Sequence, residues 1–224
     1  MTISETYVDI ILSLFESNRN EENAVPMAKY MRNRYPFLGI KTPQRRNLMR
    51  QFYKETNILK QAFLPEFVWA LWELEEREYQ QAALDYMDRM RKKLEPTHMP
   101  LMEKLITTKS WWDTVDALAS KSIGHIAGTN PEVIPDYIEK WATSSNMWLN
   151  RTAILFQLKY KETTDEALLY RYIGIHNTSK EFFIQKAIGW ALREYSKTNP
   201  NSVRCFINES QLAALSVREG SKYI

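Results

Sequence analysis

An all-α fold, arranged as a solenoid of HEAT-like helical repeats with a concave basic groove, is what this 224-residue chain predicts. Three observations carry that expectation. Apolar residues recur at helical spacing along nearly the whole length, and no convincing run alternates with the period of two that marks a strand. Glycine is scarce, at six residues. The segment MWLNRTAILFQLKY (147–160) realigns with FFIQKAIGWALREY (182–195) at an offset of 35, matching Leu149 to Ile184, Arg151 to Lys186 and Tyr160 to Tyr195. Trp112 stands 36 residues before Trp148, and Tyr79 a further 33 before that. Helix pairs recurring at such a period point to HEAT or armadillo arrays, in which the second helix of each pair tends to line one wall. A globular helical bundle is the competing arrangement.

The elements follow in order. MTISETYVDIILSLFESN lacks the basic start and small-residue cleavage site of a signal peptide and reads as an amphipathic helix over 3–17. Further helices are expected at 21–34, 43–55, 65–75, 77–94, 98–107, 111–127, 131–142, 147–160, 164–174, 179–197, 200–208 and 215–223. Thr42-Pro43 supplies a capping residue and a proline at the first turn. Pro65 and Pro131 open two more helices, and Asn199-Pro200 separates the last long helix from the next. One repeat domain over 1–224 accommodates all of them.

Composition narrows the function classes. Hydrophobic residues make up 44% and charged residues 25%, as in ordinary soluble proteins. No apolar run approaches the ~20 residues that span a bilayer, so no membrane association is expected. One cysteine, Cys205, rules out an internal disulfide framework and fits a reducing cytoplasm. His98, His125 and His176 are isolated from other metal-binding side chains, so no metal site is expected. There is no glycine-rich phosphate loop or nucleophile elbow, and no cofactor is implied. The net charge of +3 says little, but its distribution says more. Lys29, Arg32, Arg34, Lys41, Arg45, Arg46 and Arg50 cluster early, with Glu21 and Glu22 at the near edge, whereas acids gather around Glu73 to Glu78. A local basic stripe suits phosphates; a solvated helix surface is the alternative.

The most informative short segment is Ser110-Trp111-Trp112-Asp113-Thr114-Val115-Asp116. Trp112 and Asp116 are four apart, which puts an indole and a carboxylate on one helical face. An aromatic face can hold a flat or cationic group, and a fixed carboxylate stabilises positive charge developing beside it. Trp111, on a different face, suits the core. Asp113 competes with Asp116 for any carboxylate role, and Trp112 read alone fits packing better than a site. Gly189 before Trp190 allows a close helix or backbone approach. Arg151 is suited to a phosphate, or to pairing with an acid on a neighbouring helix.

LGIKTPQRR, TKSWWDTVD, WLNRTAILFQLKYK and SKEFFIQKAIGWALREYSKTNP, long and in order, resemble the AlkD-type DNA alkylation-repair glycosylases from about residue 20 onwards. That resemblance implies a HEAT-like superhelix holding duplex DNA, and hydrolysis of the N-glycosidic bond of N3- and N7-alkylated purines. Position by position it implies a lesion cleft of Trp112 and Trp190, Asp116 as the catalytic carboxylate, and Arg151 at DNA in the same cleft. Lys159, Arg193 and Tyr30 match DNA-facing positions, and Arg45 and Arg46 of the early basic cluster are expected to join them. The implied partner is double-stranded DNA containing alkylated purines, bound by a monomer. A non-catalytic binder of damaged or branched DNA is the alternative, and a scaffold for a protein partner is a third.

Overall fold

The structure, a computed structural model, describes residues 3–224. It is all-α, as expected, with no strand among the described residues. These residues gather into two compact units, Met1–Leu94 and Glu95–Ile224.

The first unit contains α1 (Ile3–Glu16), α2 (Glu21–Tyr30), α3 (Thr42–Thr56), α4 (Pro65–Glu73) and α5 (Arg77–Arg89). α1 packs on α3 and α4, and α5 on both α3 and α4. Their apolar stripes meet in an aromatic core: Phe52 stacks on Phe67 at 5.7 Å, Phe67 meets the edge of Tyr86 at 5.1 Å, and Phe15 stacks on Tyr79 at 5.7 Å. α2 starts where the Asn20 side chain accepts the Asn23 N–H at 2.9 Å. It stops at Tyr30 rather than continuing to 34, because Arg32 and Asn33 adopt left-handed backbone (φ 57° and 52°). The LGI segment ahead of α3 is fixed by Glu78, whose carboxylate accepts the backbone N–H groups of Leu38, Gly39 and Ile40 at 3.0, 2.9 and 3.0 Å. Gly39 is required there: its φ is 86°, and a Cβ would lie 1.8 Å from the Asn20 carbonyl oxygen.

The second unit contains α6 (Met99–Thr107), α7 (Trp112–Ala117), α8 (Gly124–Thr129), α9 (Glu139–Ala142), α10 (Met147–Leu155), α11 (Glu166–Ile175), α12 (Phe182–Tyr195), α13 (Pro200–Glu209) and α14 (Ala214–Gly220). α7 and α8 form the single helical rod expected at 111–127, but it widens to π geometry over Leu118–Ile123. At the far end of that turn the Tyr160 hydroxyl donates to the Gly124 carbonyl at 2.6 Å. The element expected at 131–142 is likewise a π segment, Ile134–Ile138, leading into α9.

α10 is the central helix of this unit, in contact with α6, α7, α9, α11 and α12. That placement explains its sequence: every residue from Leu149 to Leu155 is buried, including the polar Asn150, Arg151 and Thr152. A helix surrounded on all sides must satisfy its polar groups internally. Asn150 does so by donating to the carbonyls of Trp141 and Ser144, both at 2.9 Å, and Thr152 by donating to the Trp148 carbonyl at 2.8 Å. Arg151 turns towards α7.

Candidate active site

α7 begins abruptly. Trp111 has extended backbone (φ −157°, ψ 161°), and Trp112 is the first helical residue. The two adjacent indoles therefore part company. Trp111 is buried, with its ring 5.0 Å from Phe183 and 5.8 Å from Trp148, which is the core role expected for it. Trp112 is only half-buried, and so is Asp116 one turn further along the same helix. The side chain of Asp116 retains 12% exposure. The π turn follows immediately, and such turns often occur at functional sites.

Arg151 holds Asp116 in a two-pronged grip. Its Nε donates to Oδ1 at 2.7 Å and its Nη2 to Oδ2 at 2.9 Å, the parallel fork in which a guanidinium matches a carboxylate. Nη1 donates to the Phe183 carbonyl at the head of α12. One side chain thus ties α7, α10 and α12 to a single carboxylate. Burial pushes the Asp116 carboxyl above its ordinary value; the hydrogen bonds and charge of Arg151 pull it back, and the charge of Asp113 pushes it up again. Asp116 is therefore not the unperturbed acid that an exposed helix surface would give. Its charged form depends on Arg151.

Trp190 lies on α12, seven residues after Phe183 and hence on nearly the same face, about 10 Å further along the axis. It is half-buried against the apolar cluster that includes Ile154, Leu155 and Ile188. The reading of Gly189 as a point of close approach is correct. A Cβ there would lie 2.4 Å from the Glu219 Cβ and 3.2 Å from the Ser216 carbonyl oxygen, so α14 seats directly against α12.

The expected DNA-contacting residues differ in what they present. Tyr30 is 73% exposed at the end of α2; Arg46 and Lys159 are exposed too. Arg193 is half-buried and donates to Glu219 at 3.2 Å. Arg45 is buried, with Nε donating to Asp85 at 2.9 Å and Nη1 to Gln81. Adjacent helical residues point about 100° apart, so one member of the Arg45-Arg46 pair turns inward when the other faces solvent. The Arg151 fork likewise faces a carboxylate.

The Phe183 carbonyl was missed from the sequence, and the pairing of Arg151 with an acid on a neighbouring helix stood there only as an alternative to a phosphate contact. The Phe183 carbonyl carries no residue-type signal at all. The pairing of Arg151 with Asp116 did have one: their separation of 35 residues is the repeat period. Similar separations recur for Arg45 with Gln81 (36) and Lys186 with Glu219 (33). In a repeat array, a polar side chain's partner sits about one period away.

Comparison with known proteins adds the family. A family model described as DNA alkylation repair enzyme matches residues 11–224. A solved structure described as a predicted DNA alkylation repair enzyme from Enterococcus faecalis is 35% identical, with 92% of this chain and 96% of that chain covered and a TM-score of 0.82. The smu.31 protein of Streptococcus mutans covers 80% of this chain and 97% of its own at 16% identity and a TM-score of 0.59, a likeness of fold alone. No curated protein gives a significant match.

Proposed function

The chain belongs to the DNA alkylation repair enzyme family, and on that premise we propose that it is a monofunctional DNA N-glycosylase. It hydrolyses the N-glycosidic bond of positively charged N3- and N7-alkylated purines in duplex DNA and leaves an abasic site. The observation that carries this reading is the Asp116 carboxylate, locked by the Arg151 fork one helical turn from the half-buried Trp112.

A purine alkylated at N3 or N7 already carries a positive charge. When its bond to C1′ breaks, the electron pair passes to the base, which departs neutral without needing a strong acid. Positive charge moves to the deoxyribose, and a fixed carboxylate stabilises that transition state more than the ground state. Asp116 supplies the carboxylate and orients the water that attacks C1′, with the water's proton passing to the carboxylate or to solvent. Because its oxygens are already fixed by Arg151, little reorganisation is needed as charge develops. Arg151, whose side chain is only 5% exposed, thereby acts through Asp116. Trp112 and Trp190 offer their negative ring faces to the cationic nucleotide. Lys159, Arg193, Tyr30 and Arg46 contribute phosphate contacts, while Arg45 supports the surface from beneath. The chemistry needs no cofactor and no second subunit.

Selectivity in this mechanism comes from the lesion's charge. Release of N7-methylguanine from a duplex should therefore be fast, and release of uracil from a matched duplex undetectable under the same conditions. Equal release of both, or of neither while duplex binding persists, would overturn the proposal; the second result would indicate a non-catalytic binder.

A further inference from the structure

Away from Asp116, one acidic side chain is surrounded by cations. Glu219, on α14, is only 11% exposed. Its Oε1 accepts from Lys186 Nζ at 3.1 Å; its Oε2 accepts from Lys222 Nζ at 2.7 Å and from Arg193 Nη1 at 3.2 Å. Arg218 Nη2 approaches Oε1 at 4.0 Å. Its pKa is pulled down to about 2 by the lysine hydrogen bonds and charges, so this carboxylate stays ionised throughout the useful pH range. Four positive charges meet one negative charge, leaving a local excess of three.

The position of the cluster follows from Gly189. Since a Cβ there would collide with the Glu219 Cβ, the missing side chain lets Glu219 sit directly under α12, beside Trp190. Lys186 and Arg193 come from α12, Arg218 from α14, and Lys222 from the turn that follows it. Two helices are needed to bring them together. If the cluster served only to clamp α14 onto α12, one or two ion pairs would suffice. Instead Arg218 remains 72% exposed, Lys222 47% and Lys186 37%. A lysine making one hydrogen bond retains two further donors.

We propose that Glu219 is a positioning residue that gathers Lys186, Arg193, Arg218 and Lys222 into a pre-ordered phosphate-binding surface beside Trp190, fitted to the backbone of duplex nucleic acid. The inference rests on the reading of this protein as acting on DNA. Its logic is entropic. Free lysine and arginine side chains lose rotamer freedom when they bind a phosphate. A largely buried carboxylate that already holds the ends of Lys186, Arg193 and Lys222, with Arg218 at its rim, removes part of that cost at the expense of one unit of local charge.

Those two effects have opposite signs, which makes the proposal testable. Net charge alone predicts that Glu219→Gln, which removes a negative charge, binds duplex DNA more tightly. Pre-ordering predicts weaker binding. The experiment is fluorescence anisotropy of an undamaged duplex oligonucleotide with the full-length protein at several salt concentrations. Wild type is compared with Glu219→Gln and with the double variant Arg218→Ala/Lys222→Ala, and thermal melts confirm folding. The double variant alters only partly exposed side chains, so it tests the surface even where Glu219→Gln unfolds. The expected results are a several-fold loss of affinity for Glu219→Gln with little change in salt slope. The double variant should lose about tenfold or more in affinity, with the slope reduced by ~1 to 2. Tighter binding by folded Glu219→Gln, or an unchanged affinity and slope in the double variant, would overturn the proposal. Absence of any duplex binding by wild type would instead remove the DNA reading on which it rests.

Discussion

Two arginine–aspartate pairs, one in each compact unit and each with a buried arginine, differ in how completely the carboxylate is held. In the first unit Arg45 on α3 reaches Asp85 on α5, and its second prong goes to Gln81 on the same helix. In the second unit Arg151 on α10 grips both oxygens of Asp116 on α7 and also reaches a backbone carbonyl at the start of α12. The first pair joins two helices through one oxygen of its carboxylate. The second fixes both oxygens with one guanidinium that is itself anchored to a third helix, one turn from a half-buried indole. A salt bridge built only for stability has no need of such orientation. On the function proposed, the carboxylate held at both oxygens is the one that does the chemistry.

The sharpest way to break this comparison is to remove each arginine in turn. Arg151→Ala and Arg45→Ala should each destabilise the protein by about 3–5 kcal/mol, because each leaves a largely buried carboxylate uncompensated. Only Arg151→Ala should also lower excision per folded molecule, by about 100-fold. Chemical denaturation and single-turnover kinetics on the folded fraction separate the two effects. An equal loss of excision in both variants would erase the distinction.

Acidity sharpens it further. Burial raises the Asp116 carboxyl above its ordinary value of 3.8, so the charge that the proposed chemistry uses is present above that raised value and lost as pH falls through it. Excision by wild type should therefore decline before pH reaches 3.8, by about tenfold per pH unit once the carboxyl is mostly protonated. The matching stability term has the opposite sense to that of a depressed carboxylate. A folded-state value raised above the unfolded one adds stability as pH falls and removes it as pH rises. A pH–rate profile on the folded protein tests the catalytic part. A rate unchanged down to pH 3.8 would contradict the burial of the reacting carboxylate.

Smaller effects belong to the surroundings. Gly189→Ala should cost about 1–3 kcal/mol, since its Cβ would overlap Glu219 and force α14 away from α12; thermal melting reads this. Arg46→Ala should leave the fold and the chemical step alone and reduce the salt slope of duplex binding by ~0.9. Arg45→Ala should not change that slope, because its guanidinium is already committed to Asp85 and Gln81.

How much was legible beforehand depended on the range of the interaction. Helical periodicity and proline placement located nearly every helix, because those signals are local. Trp112 and Asp116 were placed on one face by spacing alone, and Trp111 in the core by the same geometry. The early end of α2 was less legible, since it depends on Arg32 and Asn33 taking left-handed backbone, and arginine gives no warning of that. The direction of an arginine fork was legible at best as a pair of alternatives, as for Arg151. Arg45, Arg46 and Arg151 look alike as letters, yet two are buried and one is exposed. Only a partner about one repeat away separates them, and that pairing becomes visible when helices are stacked. Glu219 fell outside the reading for a related reason: two of its four cations, Lys186 and Arg193, come from another helix.

The most direct test of the account is single-turnover release of free base from a duplex carrying one N7-methylguanine, by wild type and by Asp116→Asn. The account predicts rapid release by wild type and a rate about 100-fold or more lower for the variant, with duplex affinity nearly unchanged. Undiminished release by Asp116→Asn would contradict it and place the chemistry elsewhere.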